Sequence, residues 1–357
     1  MESITVGIDL AKQVFSVCVM DDRGRVIQRH ELKREALRGW LMQLPTGTVV
    51  AMEACSSAHH WARTCRAHGL EPRLMAAQFV TPFRKSAGVK NDRNDAEAIA
   101  TAPRQGNMRF VPVKDVDQQA RLSWHRAREG YKTEALAATN RIRGLLAEFG
   151  IAIPQTDVAL RRALADLDAF ALPASLARLI RLQQAHWQAI EAGLTACDDH
   201  IKAQVAQDER CQRIRALVGV GPITADAVVA TLGNAADFRN GRQCAAWMGL
   251  TPRQFGSGGK VVLGRISYRG DTYLRTLLIQ GARSSVQRAR LTPRDKQTPE
   301  QQWILQLSTR LPFGKLLVAI ANKHARQIWA MLARGEQYDP DAWLKHPMVQ
   351  RGGTCTA

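Results

Sequence analysis

Four acids carry the most chemistry in this sequence. Asp9 lies in Val6-Gly7-Ile8-Asp9-Leu10-Ala11 and Glu53 closes Val50-Ala51-Met52-Glu53. Asp92 and Asp95 lie in Lys90-Asn91-Asp92-Arg93-Asn94-Asp95-Ala96-Glu97. A spacing of three puts the last two on one face of a helix. If the strand carrying Asp9 neighbours the one carrying Glu53, both meet at one sheet edge. The helix can then bring two more oxygen donors to them. Four gathered carboxylates repel unless cations lie between them, and hard oxygen donors suit Mg²⁺ or Mn²⁺. Two such ions ~3.5–4 Å apart activate the attacking oxygen and stabilise the leaving oxygen of a phosphodiester. Taken singly, each acid has a plain alternative: Asp-x-x-Asp on a helix is usually a solvated face.

The elements around these acids fit that role. Ile4, Val6 and Ile8 share one strand face, and Phe15, Val17 and Val19 share another. Asp21-Asp22-Arg23-Gly24 is a turn into a third strand, Arg25 to His30. A helix is expected from Arg34 to Leu44, a buried strand from Val49 to Glu53, a helix to His68 and a strand from Pro72 to Ala76. Three strands followed by helix–strand alternation predict a mixed α/β sheet covered on both sides. Ala102-Pro103-Arg104 sets a proline where the helix after Asp95 would continue. Actin-like ATPases also open on a strand ending in Gly-Ile-Asp. They follow it with a glycine-rich phosphate turn, whereas Leu10-Ala11-Lys12-Gln13 has no glycine.

From 115 to 210 glycine is sparse, and 3.6-residue periods such as Leu176, Leu179, Ile180 and Leu182 predict helical hairpins or a coiled coil, broken near Pro154 and Pro173. This segment is either a spacer or an oligomerisation region. A third, mostly helical unit runs from 211 to 340, and the tail 341–357 is expected to be loose. Within that unit, Val218-Gly219-Val220-Gly221-Pro222 reads as a helix-hairpin-helix whose exposed backbone N–H groups take a DNA phosphate. The alternative is an ordinary helical turn. Ser257 stands in Phe255-Gly256-Ser257-Gly258-Gly259-Lys260, where glycines admit a bulky phosphodiester. Its alternative is a serine in a plain loop, since no His–Asp partner is evident nearby in sequence. Residues 251–290 hold eight Lys or Arg against one acid, Asp271.

The whole chain of 357 residues has 50 Lys and Arg against 32 Asp and Glu, a formal charge of +18. That favours a polyanionic partner bound by counterion release. Lys90, Arg93, Gly219, Gly221, Arg253, Lys260, Arg265, Arg269 and Arg275 are the expected nucleic-acid contacts. The seven scattered cysteines lack zinc-ligand spacing and are expected to be buried thiols in a reducing cytoplasm, and the pair His59-His60 chelates poorly on a helix. Neither a signal peptide nor a membrane span is read from the sequence.

Together, the Asp-Glu-Asp-Asp set and the Ser-Gly…Gly264-Arg265-Ile266-Ser267…Arg269-Gly270…Leu274-Arg275 block resemble the insertion-sequence 110 family of transposases. The Lys-Asn-Asp-Arg-Asn-Asp-Ala-Glu wording is similar to its 1111 subgroup. The likeness runs from about residue 4 to 335. It implies a RuvC-like, RNase H-like metal domain over 1–114, the helical region 115–210, and a serine transposase domain over 211–340. It further implies Asp9, Glu53, Asp92 and Asp95 as ligands of two Mg²⁺ or Mn²⁺ ions and Ser257 as nucleophile, with Ser267 as fallback. The partners implied are DNA, a structured noncoding guide RNA and further copies of the chain as a dimer or tetramer. The competing readings are a hydrolytic RuvC-like resolvase, which uses water, and a non-catalytic nucleic-acid-binding protein with relic acids.

Overall fold

The computed structural model describes residues 4–84, 92–257, 260–267 and 269–341, with the backbone alone at Asp92, Ser257, Lys260 and Val261. The chain divides into two compact units, 1–116 and 117–357.

The first unit is built on β1 (Thr5–Asp9), β2 (Val14–Met20), β3 (Val26–Lys33), α1 (Arg34–Leu41), β4 (Val49–Glu53), α2 (Ala58–Ala67), β5 (Glu71–Met75), α3 (Ala77–Val80), α4 (Asp92–Thr101) and β6 (Phe110–Val111). The strands form one mixed sheet in the order β3-β2-β1-β4-β5-β6. The β1–β2–β3 meander is antiparallel, and β1 then pairs in parallel with β4, the return being carried by α1. The short β6, which the sequence reading lacks, pairs antiparallel with β5.

Pleat alternation sorts the two faces. Val6, Ile8, Val50 and Met52 pack with Leu37 and Leu41 of α1 and Trp61 and Cys65 of α2. Ala51 and Met75 pack on the other side with Val80 and with Ala98 and Ile99 of α4. Gly7 also faces α4. A Cβ there would lie 2.4 Å from both the Ala96 carbonyl oxygen and the Ala100 amide nitrogen, so helix backbone rests directly on strand backbone. The helix ends at Thr101, and residues 102–104 tighten into a 3₁₀ turn at Pro103.

The second unit begins with the long helices α5 (Val116–Ala147) and α7 (Ala174–Gln207), separated by α6 (Asp157–Ala165). They run antiparallel: Arg128 reaches Asp198 and Arg141 reaches Gln183. Pro154 lies in the first connection and Pro173 caps α7. The outer half of this hairpin has its own core of Ile142, Leu146, Leu160, Leu164, Ile180 and Trp187. Its inner end joins the main core through Ile201 and Val205. That core also takes in α8 (Glu209–Ile214), α9 (Pro222–Leu232), α10 (Gly241–Trp247), α11 (Thr272–Leu291), α12 (Pro299–Arg310) and α13 (Phe313–Ala333).

The second unit is mostly helical, as expected. Besides its helices it contains a two-stranded antiparallel ribbon, β7 (Pro252–Ser257) and β8 (Lys260–Ile266). Val261, Val262 and Leu263 give β8 its strand propensity. The expected tail, from 342 on, lies outside the described residues.

Candidate active site

Asp9 and Glu53 end neighbouring parallel strands, whose register aligns Ile8 with Met52. Asp9 has the parity of Gly7, and Glu53 that of Ala51, so both belong to the α4 side of the sheet. On α4, Asp95 stands beside Ala96, the residue seated on Gly7, and is only 6% exposed. Asp92 opens the same helix one turn earlier. The strands therefore deliver two acids to one edge, and the close glycine contact brings the helix carrying the others against that edge.

One guanidinium joins two of these acids. Arg84 approaches Glu53 Oε1 at 3.3 Å and Asp95 Oδ1 at 2.9 Å. Cys55 links Glu53 to Asp9: partial burial, then the negative charges of Glu53 and Asp9, push its thiol above the usual range. Cys55 is exposed, against the expectation of buried thiols, while the other described cysteines are buried. It sits just past β4, where the chain turns towards α2.

Among the described residues, no three His, Cys, Asp or Glu side chains are gathered as a ligand set for a metal ion. Asp92's side chain stands outside that description. The donor chemistry nonetheless fits a hard divalent cation, because the acids offer only carboxylate oxygens. Arg84 already acts as a positive charge between two of them.

The expected nucleic-acid contacts divide by environment. Lys90 lies outside the described residues. Arg93 is exposed and pairs with Glu31 at 3.0 Å. Arg253, Arg265 and Arg269 are exposed on or beside the β7–β8 ribbon. Ser257 and Lys260 face each other in register where the ribbon turns. Ser267 is tied into the ribbon's base: its amide donates to the Thr251 carbonyl at 2.9 Å, and its carbonyl accepts from Arg253 at 3.1 Å.

Arg275 is a correction. It is 5% exposed and donates to the carbonyls of Met248 and Arg269 and to the Thr272 hydroxyl, so it braces the start of α11 rather than facing a phosphate. Gly219 is needed for packing, since a Cβ would lie 2.2 Å from the Gly281 carbonyl oxygen and its φ is +92°. Gly221, by contrast, is exposed, has open space around it and caps α9.

A charged network that the sequence reading missed lies inside the second unit. His125 Nε2 is 3.0 Å from Asp226 Oδ2, and His125 Nδ1 is 3.0 Å from the Tyr273 hydroxyl. A carboxylate only accepts, so Nε2 carries a proton towards Asp226. Burial, with the Glu129 charge, pushes the Tyr273 phenol up to about 12, so the hydroxyl keeps its proton. Arg121 bridges Asp226 at 3.1 Å and Asp208 at 2.9 Å. The only sequence cue was a histidine on a long helix, since its partners lie 101 and 148 residues away.

Comparison with known proteins decides the family. The description "Transposase IS116/IS110/IS902 family" matches residues 211–298, and the DEDD transposase description of the IS110 type matches residues 6–151. A probable family 20 transposase of Pseudomonas aeruginosa is 45% identical, covering 94% of this chain and 98% of the relative. The chain belongs to the IS110 family of transposases. The transposase for insertion sequence element IS1111A of Coxiella burnetii is 37% identical over 93% of this chain and 90% of its own length. That for IS1328 of Yersinia enterocolitica is 35% identical over 94% and 98%. An IS110-family transposase is a DNA-cleaving and DNA-recombining enzyme, and DNA is its substrate. None of the described helices is long and apolar enough to cross a membrane.

Proposed function

We propose that this transposase cleaves and exchanges DNA strands with two chemical parts, a RuvC-like, RNase H-like carboxylate centre and a nucleophilic serine. The observation that carries the first part is the sharing of Arg84 by Glu53 and Asp95, beside the strand end that holds Asp9. Asp9, Glu53, Asp92 and Asp95 would hold Mg²⁺ or Mn²⁺, two ions per site. When bound, those ions supply charge for the attacking and leaving oxygens.

Ser257 is the proposed nucleophile. Its hydroxyl oxygen attacks phosphorus, one P–O ester bond breaks, and the departing DNA oxygen leaves as a hydroxyl with the serine proton. The phosphoserine ester keeps the bond energy, and the reverse attack by another DNA hydroxyl rejoins the strand. The ribbon supports this role: residue 257 lies where two exposed strands turn, between glycines that leave room for a phosphodiester. Gly221, at the open N-terminus of α9, offers backbone amides to a DNA phosphate.

A structured noncoding RNA is the proposed guide, supported by the +18 charge. The likeness to the IS1111A transposase supports placing the chain in the 1111 subgroup. Residues 115–210 are the proposed oligomerisation region of a dimer or tetramer, supported by the exposed Leu136 and Leu182 on its long helices.

The test is denaturing gel analysis of reactions with labelled DNA. Covalent protein–DNA adducts are expected, absent in Ser257→Ala and lost without divalent metal or in Asp9→Asn. Strand cleavage without any adduct would assign the attack to water and the chain to the hydrolytic class.

A further inference from the structure

We propose that the ring of Phe255 is a stacking platform for an unstacked DNA base beside the reacting phosphodiester. Phe255 is an aromatic that the fold does not bury. Phe255 is 58% exposed, Val262 opposite it in register is 62% exposed, and neighbouring Leu263 is 61% exposed. A two-stranded ribbon normally hides one face against a helix or another sheet. Here both strands keep large apolar side chains in solvent.

The ring lies close to β8. Gly264 lies beside the ring, and a Cβ at that position would come within 2.8 Å of Phe255 Cε2. The missing side chain lets the ring lie against the backbone of β8. The ring edge at Cε2 and Cδ2 lies close to Gly264, and the residue as a whole is more than half exposed. An apolar ring lying close to glycine backbone and largely open to solvent can take a stacked base.

The charge around it selects the occupant. Residues 251–270 contain Arg253, Lys260, Arg265 and Arg269 and no acid. A second copy of the same ribbon would bring like charges together, which disfavours ribbon-to-ribbon pairing. DNA supplies both the phosphates for these cations and an aromatic face for the ring. Intact duplex hides its base faces, so the base must be unpaired or pulled from its stack. Phe255 precedes Ser257 by two residues on β7, so a base held there adjoins the phosphodiester at the turn. The proposal rests on the nucleophile reading only for that last placement.

The test uses the full chain in a Ser257→Ala background, where no attack occurs. The probe is a thymidine 20-mer with one central 2-aminopurine. Binding is expected to quench 2-aminopurine fluorescence. Phe255→Ala should abolish the quench and weaken binding about 5- to 150-fold, the range for losing one base–aromatic stack. Phe255→Trp should preserve both, and Gly264→Ala should lose part of the quench by lifting the ring. Because Phe255 is exposed, its variants should keep the parent circular dichroism, and Phe255→Trp controls for the ribbon's fold. Unchanged quenching and affinity in Phe255→Ala would overturn the platform. So would loss of self-association with DNA binding intact, which would make the ribbon a protein interface. Quenching that persists while unsubstituted protein forms no adduct would sink the nucleophile and leave the platform standing.

Discussion

The guanidinium of Arg84 stands 2.9 Å from the Asp95 carboxylate and reaches Glu53 at 3.3 Å. It neutralises charge at the point where the proposed metal ions would do the same. Arg84→Ala should therefore lower the melting temperature of metal-free protein, by the equivalent of about 1–2 kcal/mol given that Arg84 is part-exposed. Saturating Mn²⁺ should restore more stability to the variant than to the parent. Differential scanning fluorimetry with and without Mn²⁺ checks both. Equal metal responses in the two proteins would show that Arg84 does not compete for the site.

Gly7→Ala places a methyl group 2.4 Å from two backbone atoms of α4. Backbone cannot swing aside like a long side chain, so the helix must lift from β1. The expected cost is about 1–3 kcal/mol of stability, read as a lowered urea midpoint. DNA cleavage should fall further than that loss explains, because Asp92 and Asp95 ride on the displaced helix. Cleavage at the parental rate at temperatures where the variant stays folded would contradict this.

Asp226 is fully buried and takes charge-assisted contacts from Arg121 and His125. Asp226→Asn keeps the shape but leaves Arg121 short of a counter-charge and disturbs the hydrogen bonds that run through His125 to Tyr273. About 3 kcal/mol of destabilisation is expected. Double-mutant analysis with His125→Ala should show strong non-additivity, whereas additive losses would mean that the contacts act separately.

Acid should weaken the second unit over a defined window. Burial alone would raise Asp208, but Arg210's hydrogen bond and charge, with Arg121's charge, override it and hold the group at about 2, against an ordinary 3.8. Burial likewise opposes ionisation of Glu300, yet His324, Lys323 and Tyr338 bring it to about 2, against 4.5. Both carboxylates are more acidic folded than unfolded. Their stabilisation is thus full above the ordinary carboxylate range and lost as pH falls from about 4.5 through about 2. Urea midpoints measured from pH 6 to 2.5 should fall in that interval, and Asp208→Asn should flatten the slope. An unchanged slope in that variant would remove Asp208 from the account.

Much of the first unit was legible because short-range patterns determine it. The alternation in β1 and β2 and the apolar run before Glu53 fix which side of the sheet each acid faces. The seat of α4 on Gly7 was not legible, since one glycine in a strand does not declare what lies over it. Arg84 was equally hidden: its role depends on Glu53 lying 31 residues back and Asp95 on a later helix. In the second unit, the glycines around Ser257 masked a hairpin whose signal was present in the Val261-Val262-Leu263 run. Arg275 looked like one more surface cation because sequence carries no direct sign that the carbonyls of Met248 and Arg269 converge on it.

The anchoring of α5 has a mechanical consequence. Arg121, His125 and Arg128 all lie within its first 13 residues, and each is locked by buried or part-buried partners. The helix then runs on from Arg128 for about 28 Å at 1.5 Å per residue, stiffened at its outer end by a separate core. It is a rod clamped at one end. A force applied at the far tip would be felt at the clamp, where His125 contacts Tyr273, seven residues after the end of β8. If the proposed assembly contacts lie at the tip and the proposed attack is by Ser257, this one helix would couple the two.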